Sequence, residues 1–124
     1  GWSVMEGPDC FYGRPCDPEA HIAPVIAYPH DDGEVGHCSV IGGEVYRGEA
    51  GSLPEGTYLY ADYCSGTIWG VPVEQLRSRA AEPTIVGQVP AELGQPQSFG
   101  RDDAGELYLV TNAGNALGIS AASP

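Results

Sequence analysis

Residues 57–71 read TYLYADYCSGTIWGV, and this stretch decides the fold. β-Branched and aromatic residues, the types that favour strands, are concentrated over 57–63 and again over 67–71. A short Cys-Ser-Gly segment separates the two runs, and residues of this kind favour a tight turn. The stretch therefore predicts two antiparallel strands of one sheet.

Runs of the same kind recur about every ten residues on both sides of this hairpin. Gly, Pro and Asp separate them, a pattern typical of antiparallel meanders, and Gly42-Gly43 predicts a bulge. A helix-like stretch over 74–81 is interpreted as a loop excursion. The further predicted strands are 24–28, 39–46, 83–89, 97–99, 106–111 and 116–119. The chain is accordingly predicted to be all-β and built from antiparallel four-stranded meanders.

Four cysteines in a short acidic chain indicate two disulfides and a secreted, extracellular or periplasmic location. Their spacing is not that of a zinc site. Paired residues of an antiparallel hairpin have numbers with a constant sum, and Cys38 and Cys64 add to 102. That sum centres the turn at residue 51, where Gly, Ser and Pro cluster. Cys10 would then pair with Cys16, although four cysteines allow three connectivities.

The 124 residues suffice for one domain, and their charges are strongly unbalanced. Seventeen acidic residues stand against five basic ones, for a net charge of −12. This balance excludes a nucleic-acid binder that works by neutralising phosphates and argues against an anionic membrane as partner. No apolar stretch is long enough for membrane insertion. Because the chain opens with Gly1, we expect that an export signal has been removed.

Three strings carry a resemblance to a known family: GGEVYRG at 42–48, LYADYCSGTIW at 59–69 and SFGRDDAGELY at 98–108. They resemble the C-terminal blades of the glucose/sorbosone dehydrogenase family, which includes soluble quinoprotein sugar dehydrogenases and hedgehog-interacting-like proteins. The family fold is a six-bladed β-propeller, so the resemblance implies about two blades. It implies four segments: a disulfide-stapled loop with the last strand of a preceding blade, a complete blade, an incomplete final blade and a tail. Their ranges are 1–36, 37–90, 91–120 and 121–124.

The resemblance also bears on catalysis. Quinoprotein members bind PQQ and calcium, use a catalytic histidine from an earlier blade, and contact the quinone through two arginines. Gln97 and Gly100 stand at the positions of those arginines, and Arg101 is one step out of register. Thr67 also replaces a usual arginine. A tricarboxylate cofactor needs cationic partners. We therefore expect no catalytic residue and no cofactor in this chain, with PQQ and calcium relevant only to a longer catalytic parent.

Other polar residues have a functional and a plain interpretation. Asp102, Asp103 and Glu106 could bind calcium, but a tight turn that ends at Gly105 is favoured. His30 could be oriented by Asp31, yet the histidines are interpreted as solvated loop residues. The strand tyrosines are interpreted as packing between blades, not as a platform for sugars. The histidines are His21, His30 and His37, and the tyrosines are Tyr46, Tyr58, Tyr60, Tyr63 and Tyr108.

The prediction from sequence is a secreted, non-catalytic β-propeller portion that acts as a binding or assembly module. Unpaired strand edges attract other strands, so we expect other protein chains to cover them, in a homo-oligomer or a larger complex. Two alternatives stay open. The chain could be the C-terminal portion of a PQQ-dependent sugar dehydrogenase, or a structural subunit that assembles edge to edge.

Overall fold

Three antiparallel sheets account for most regular structure in residues 3–30 and 36–121, the part that the computed structural model describes. The first two strands form a small hairpin, the next four a sheet in the order β3-β4-β5-β6, and the last three a sheet in the order β7-β8-β9. The all-β prediction is confirmed. The strands are β1 (Met5–Glu6), β2 (Asp9–Cys10), β3 (Val40–Val45), β4 (Thr57–Asp62), β5 (Thr67–Pro72), β6 (Thr84–Gln88), β7 (Pro96–Arg101), β8 (Leu107–Thr111) and β9 (Ala116–Gly118).

In residues 3–30 and 36–121, helical structure is confined to one short helix and three 3₁₀ turns. The helix α1 (Val73–Arg77) lies between β5 and β6, so the stretch interpreted as a loop is helical over its first part. The 3₁₀ turns are Phe11–Gly13, Pro18–Ala20 and Ala91–Leu93. Among the described residues, no helix is long and apolar enough to cross a membrane.

The hairpin of β3 and β4 has the register that the cysteines predicted. Val40 pairs with Asp62 and Ile41 with Ala61, and each pair of numbers adds to 102. Cys38 and Cys64 are disulfide-bonded beyond this end of the hairpin, with their Cα atoms 5.6 Å apart. The remaining two cysteines, Cys10 and Cys16, are also bonded to each other.

Gly42 and Gly43 form the predicted bulge, which shifts the register of the hairpin. Beyond them Glu44 pairs with Leu59, so the constant sum rises by one. A Cβ atom on Gly43 would collide with the carbonyl oxygen of Leu59 and lie 2.6 Å from the Tyr58 hydroxyl oxygen. Only glycine therefore fits where the strand backbones approach this closely.

The N-terminal part differs from the prediction. Residues 24–28 form no strand, whereas β1 and β2 form a hairpin where irregular structure was expected. Pro24 and Pro29 bound this run and have no N–H groups to donate to a strand ladder. Residues 23–30, which we call the strap, instead contact a sheet face through side chains. Of the predicted tail, only Ala121 is described, and its N–H donates to the Ser52 carbonyl at 2.8 Å.

The hydrophobic core lies between the four-stranded and three-stranded sheets. Leu59, Ala61 and Ile68 of the first sheet pack in one cluster with Leu107 and Leu109 of the second, and all five are buried. Side chains alternate between the faces of a strand. Tyr58, Tyr60 and Trp69 therefore lie on the opposite face of the first sheet, which we call the aromatic face.

Candidate functional site

The rings of the aromatic face form a continuous row. Tyr60 pairs with Trp69 across β4 and β5, and their ring centroids are 5.1 Å apart with an interplanar angle of 20°. Tyr58 continues the row at 6.0 Å from Tyr60. Burial raises the pKa of Tyr60 to about 12, so its hydroxyl is neutral at physiological pH. The row is thus an uncharged, largely apolar surface.

The strap lies against this row and is held by its ends. The Tyr28 ring is 4.9 Å from the Trp69 ring, and the Tyr28 hydroxyl donates to Asp62 Oδ1 at 2.8 Å. Burial, followed by that hydrogen bond, raises the pKa of Tyr28. At the other end, Arg79 donates to the Ala23 carbonyl oxygen at 2.6 Å. The strap is therefore held in place at both of its ends.

Asp62 is the centre of a hydrogen-bond hub beside the disulfide. Its Oδ1 accepts N–H groups of Cys38 and Ser39 at 3.0 and 2.9 Å, and its Oδ2 accepts those of Cys64 and Ser65, both at 2.9 Å. Burial alone would raise the pKa of this fully buried carboxyl, but the hydrogen bonds outweigh burial and lower it. One charged side chain thus joins the strap to both strands at the open end of the β3–β4 hairpin.

The hub also explains a group of potential metal ligands. The Cys38 and Cys64 sulfurs and an Asp62 oxygen lie within 4.8 Å of one another. The two sulfurs are bonded to each other, and the carboxylate accepts protein donors on both oxygens. In the oxidised chain the three groups form a structural hub.

Two cavities adjoin the aromatic face. One, of about 290 Å³, is lined mainly by Tyr58, Tyr60, Val40 and strap residues. Another, of about 340 Å³, is lined by Tyr60, Trp69, Pro83 and strap residues. Both share the strap residues 26–28. The cavities show that the strap and the aromatic face are incompletely packed against each other.

Aliphatic side chains extend the aromatic face to both edges of its sheet. Val40 on β3 is 59% exposed, and Ile85 on β6 is 68% exposed. They pair with Asp62 and Trp69 and so point to the aromatic side. Exposed apolar side chains beside open cavities are typical of a surface that receives a partner.

The residues aligned with the family arginines lie elsewhere. Gly100 pairs with Tyr108, and Arg101 with Leu107, so the two alternate in face along β7. Gln97 is exposed in the irregularity between Pro96 and Ser98. The structure places these residues on the second sheet, and the absence of a cofactor role stays a prediction.

The proposed calcium ligands take part in two separate sets of hydrogen bonds. Asp102 Oδ1 accepts the N–H groups of Ala104 and Glu106, and its Oδ2 accepts the Tyr108 hydroxyl. The backbone N–H of Glu106 is the leading cause of the lowered pKa of Asp102. Asp103 is exposed in the same turn. These contacts make the turn that the sequence favoured, and the expectation that these residues hold no calcium stays a prediction.

Glu106 connects the two sheets, a role that sequence reasoning missed. Its carboxylate accepts the Ser52 hydroxyl, which is the leading cause of its lowered pKa, and the Tyr46 hydroxyl at 2.7 Å. A Cβ atom on Gly48 would collide with this carboxylate. Tyr46 and Glu106 are 60 residues apart, and no local pattern in the sequence links them.

The histidines and tyrosines follow the predictions only in part. His37 is buried, with its Nδ1 2.9 Å from the Ser65 hydroxyl oxygen and its ring 5.2 Å from that of Trp69, so a solvated loop position was wrong for it. His21 is half-buried and His30 is exposed, while Asp31 lies outside the described residues. Tyr46 packs between the two sheets, as predicted.

Among the relatives that comparisons with known proteins find are two of the same kind. The chain is 28% identical to the HIPL2 protein of Arabidopsis thaliana over 141 residues and 29% identical to the HIPL1 protein of Arabidopsis thaliana over 140 residues. Each match covers 92% of this chain and 20% of the relative, so the chain spans about a fifth of their length. No family model and no solved structure matches. The chain is therefore similar, at modest identity, to one segment of the hedgehog-interacting-like proteins.

Proposed function

We propose that this chain is a secreted, non-catalytic portion of a hedgehog-interacting-like β-propeller and that it acts as a binding or assembly module. The observation that carries the proposal is the aromatic face. Its rings, together with exposed Val40 and Ile85, form an apolar surface that the strap covers only in part.

The occupant that fits this surface is a β-sheet of another blade or another protein. The opposite face of the same sheet already packs against a sheet in this way, through Leu59, Ala61 and Ile68. Stacked blades cover both faces of each interior sheet in a propeller. The similarity to HIPL proteins supports the same arrangement, and two disulfides support secretion.

Open strand edges offer a second means of assembly. Within the described residues, β6 has a strand neighbour only in β5, and β9 only in β8. Unpaired edges attract further strands unless something covers them. We expect the aromatic face to contribute more than the edges because it removes more apolar area from water.

Sedimentation velocity of the purified chain over a range of concentrations tests the proposal. We expect self-association that strengthens with added salt, since salt screens the net charge of −12. Val40→Asp with Ile85→Asp should abolish the association. Ile22→Asp is the matched control, because Ile22 is 95% exposed and lies outside the aromatic face. If Ile22→Asp weakened self-association as much as the double variant does, a role for the aromatic face would be contradicted.

An activity assay on the longer parent protein distinguishes a binding role from an enzymatic one. The parent is supplied with PQQ and calcium, and dye reduction is followed with aldoses as substrates. We expect no turnover above background. Turnover would instead establish the chain as the C-terminal portion of a PQQ-dependent sugar dehydrogenase. Filaments of the short chain, seen by electron microscopy, would indicate the structural-subunit alternative.

A further inference from the structure

A second exposed feature lies far along the sequence from the aromatic face, in the loop between Cys10 and Cys16. Residues 10–16 read CFYGRPC, and we call them the stapled loop. The disulfide holds its two ends with the Cα atoms 5.8 Å apart. The Phe11 N–H donates to the Val4 carbonyl at 2.9 Å, and the Arg14 N–H donates to the Phe11 carbonyl at 3.2 Å. The loop is thus fixed to the β1–β2 hairpin before any partner arrives.

Tyr12 stands at the tip of this loop in an unusual conformation. Its φ and ψ are 56° and 27°, the left-handed region that favours glycine, and its side chain is 81% exposed. The only ring beside it in the described residues is that of Phe11, with centroids 4.2 Å apart. A large aromatic residue held in a strained conformation and exposed to water gains little from packing in this chain.

Arg14 follows two residues later and is also exposed. Its side chain makes no hydrogen bond or ion pair with the residues that the structure describes. Tyr and Arg are the residue types, with Trp, that most often carry the binding energy of protein interfaces. Fixing such residues in a rigid loop lowers the entropic cost of binding.

We propose that the stapled loop is a protein-recognition site. Tyr12 inserts into an apolar pocket of a partner protein, and Arg14 pairs with a carboxylate at the rim of that pocket. The site does not depend on the aromatic face, since no residue of the stapled loop contributes to that face or to its cavities. It is thus a second interaction surface beyond the assembly proposed above.

The charges and the shape of the loop favour a protein over other partners. An anionic membrane would repel a chain with a net charge of −12. Binding to the flat face of a sugar needs a ring that lies open as a platform, whereas the Tyr12 ring packs at an angle of 49° against the Phe11 ring, with centroids 4.2 Å apart. An exposed guanidinium two residues from an exposed phenol matches a pocket with a carboxylate at its rim.

The test applies the fluorescently labelled 124-residue chain to an array of purified secreted and cell-surface proteins. Four forms are compared: the wild type, Tyr12→Gly, Arg14→Ala and the control Ile22→Ala. Dissociation constants for each bound protein then follow from surface plasmon resonance. We expect at least one protein whose affinity falls about 30-fold or more with Tyr12→Gly and about 5-fold with Arg14→Ala. Ile22→Ala should leave this affinity unchanged.

The glycine variant also separates binding from folding. Glycine adopts the left-handed conformation without strain, so Tyr12→Gly should melt at the wild-type temperature or above while it loses binding. A clearly lower melting temperature would assign the ring a structural role and overturn the proposal. The proposal would also be overturned if no protein on the array bound the chain in a way that depends on Tyr12. Tyr12-dependent binding found only on a glycan array or on phosphatidylserine vesicles would overturn it too.

Discussion

The two faces of the four-stranded sheet are built from different side chains and meet different surroundings. The face that packs on the three-stranded sheet presents Leu59, Ala61 and Ile68, which are buried in an aliphatic core. The other face presents tyrosine and tryptophan rings, with Val40 and Ile85 exposed beside them. The aliphatic face is completed by its own chain, whereas the strap only partly covers the aromatic one. The difference indicates where another protein surface would complete the fold.

Anchoring differs between the two faces as well. Across the aliphatic core, Glu106 of the second sheet accepts hydroxyl groups from Tyr46 and Ser52. On the aromatic side, Asp62 accepts the Tyr28 hydroxyl of the strap and four backbone N–H groups. Each face thus has one carboxylate that holds a sequence-distant segment in place.

The largest effect is expected from the aliphatic face. Leu59→Ala leaves a cavity in the core and should lower the free energy of unfolding by about 2–5 kcal/mol. Ile85→Ala also shortens an aliphatic side chain, but on the aromatic side, and should cost less than about 0.5 kcal/mol in the isolated chain. Urea denaturation measures both. Equal losses would contradict the difference between the two faces.

A smaller loss is expected at the hub. Asp62→Asn keeps the shape of the side chain but places an NH₂ group opposite backbone donors, and should cost about 2 kcal/mol at neutral pH. The pKa of Asp62 is lower in the folded chain than its ordinary value of 3.8. The charged form therefore stabilises the fold above that value, and its contribution is lost as the pH falls through the lower, folded pKa.

The pH dependence supplies the check on the hub. Denaturation is measured for the wild type and Asp62→Asn from pH 7 down to pH 2. The difference between their free energies of unfolding should be constant at neutral pH and shrink below about pH 4. A difference that grows in acid would contradict the role of the charged carboxylate.

At the link between sheets, Glu106→Gln should lower the melting temperature at pH 7 by less than Asp62→Asn does. The hydroxyls of Ser52 and Tyr46 lower the pKa of Glu106, which means that they favour its charged form. The difference in melting temperature between the wild type and Glu106→Gln should accordingly disappear as the pH falls through the lowered pKa of Glu106. Glu92→Gln, at an exposed position, is the control for the loss of one charge. If Glu106→Gln and Glu92→Gln melt at the same temperature, the hydrogen bonds that Glu106 accepts contribute nothing to stability.

The smallest effect on stability is expected at the edges of the aromatic face. Val40→Thr with Ile85→Thr should change the free energy of unfolding by no more than about 0.5 kcal/mol, because both positions are largely exposed. The same pair should still reduce self-association in sedimentation. A large loss of stability would show that these side chains are part of the core of the isolated chain.

Much of the local structure could be predicted from the sequence. Seven of the eight strands predicted from the sequence coincide with β3 to β9. The sum for Cys38 and Cys64 predicted the register of the β3–β4 hairpin up to its bulge. The strand predicted over 24–28 was wrong because side-chain contacts with the aromatic face, including that of Tyr28 with Trp69, hold this segment in place of a strand ladder. The buried position of His37 was also missed, since its contact with Trp69 of β5 joins segments that no local pattern links.

The sequence by itself determined the all-β class, the register of the β3–β4 hairpin, its bulge and the disulfide that closes it, because each follows from strand periodicity or from the pairing arithmetic of a single hairpin. Alternation along a strand also determined that tyrosines and leucines take opposite faces. Only the tertiary structure decided which face packs on the second sheet, and which donors converge on Asp62 and Glu106. These outcomes depend on how separate sheets and the strap stack, and no local pattern encodes that arrangement.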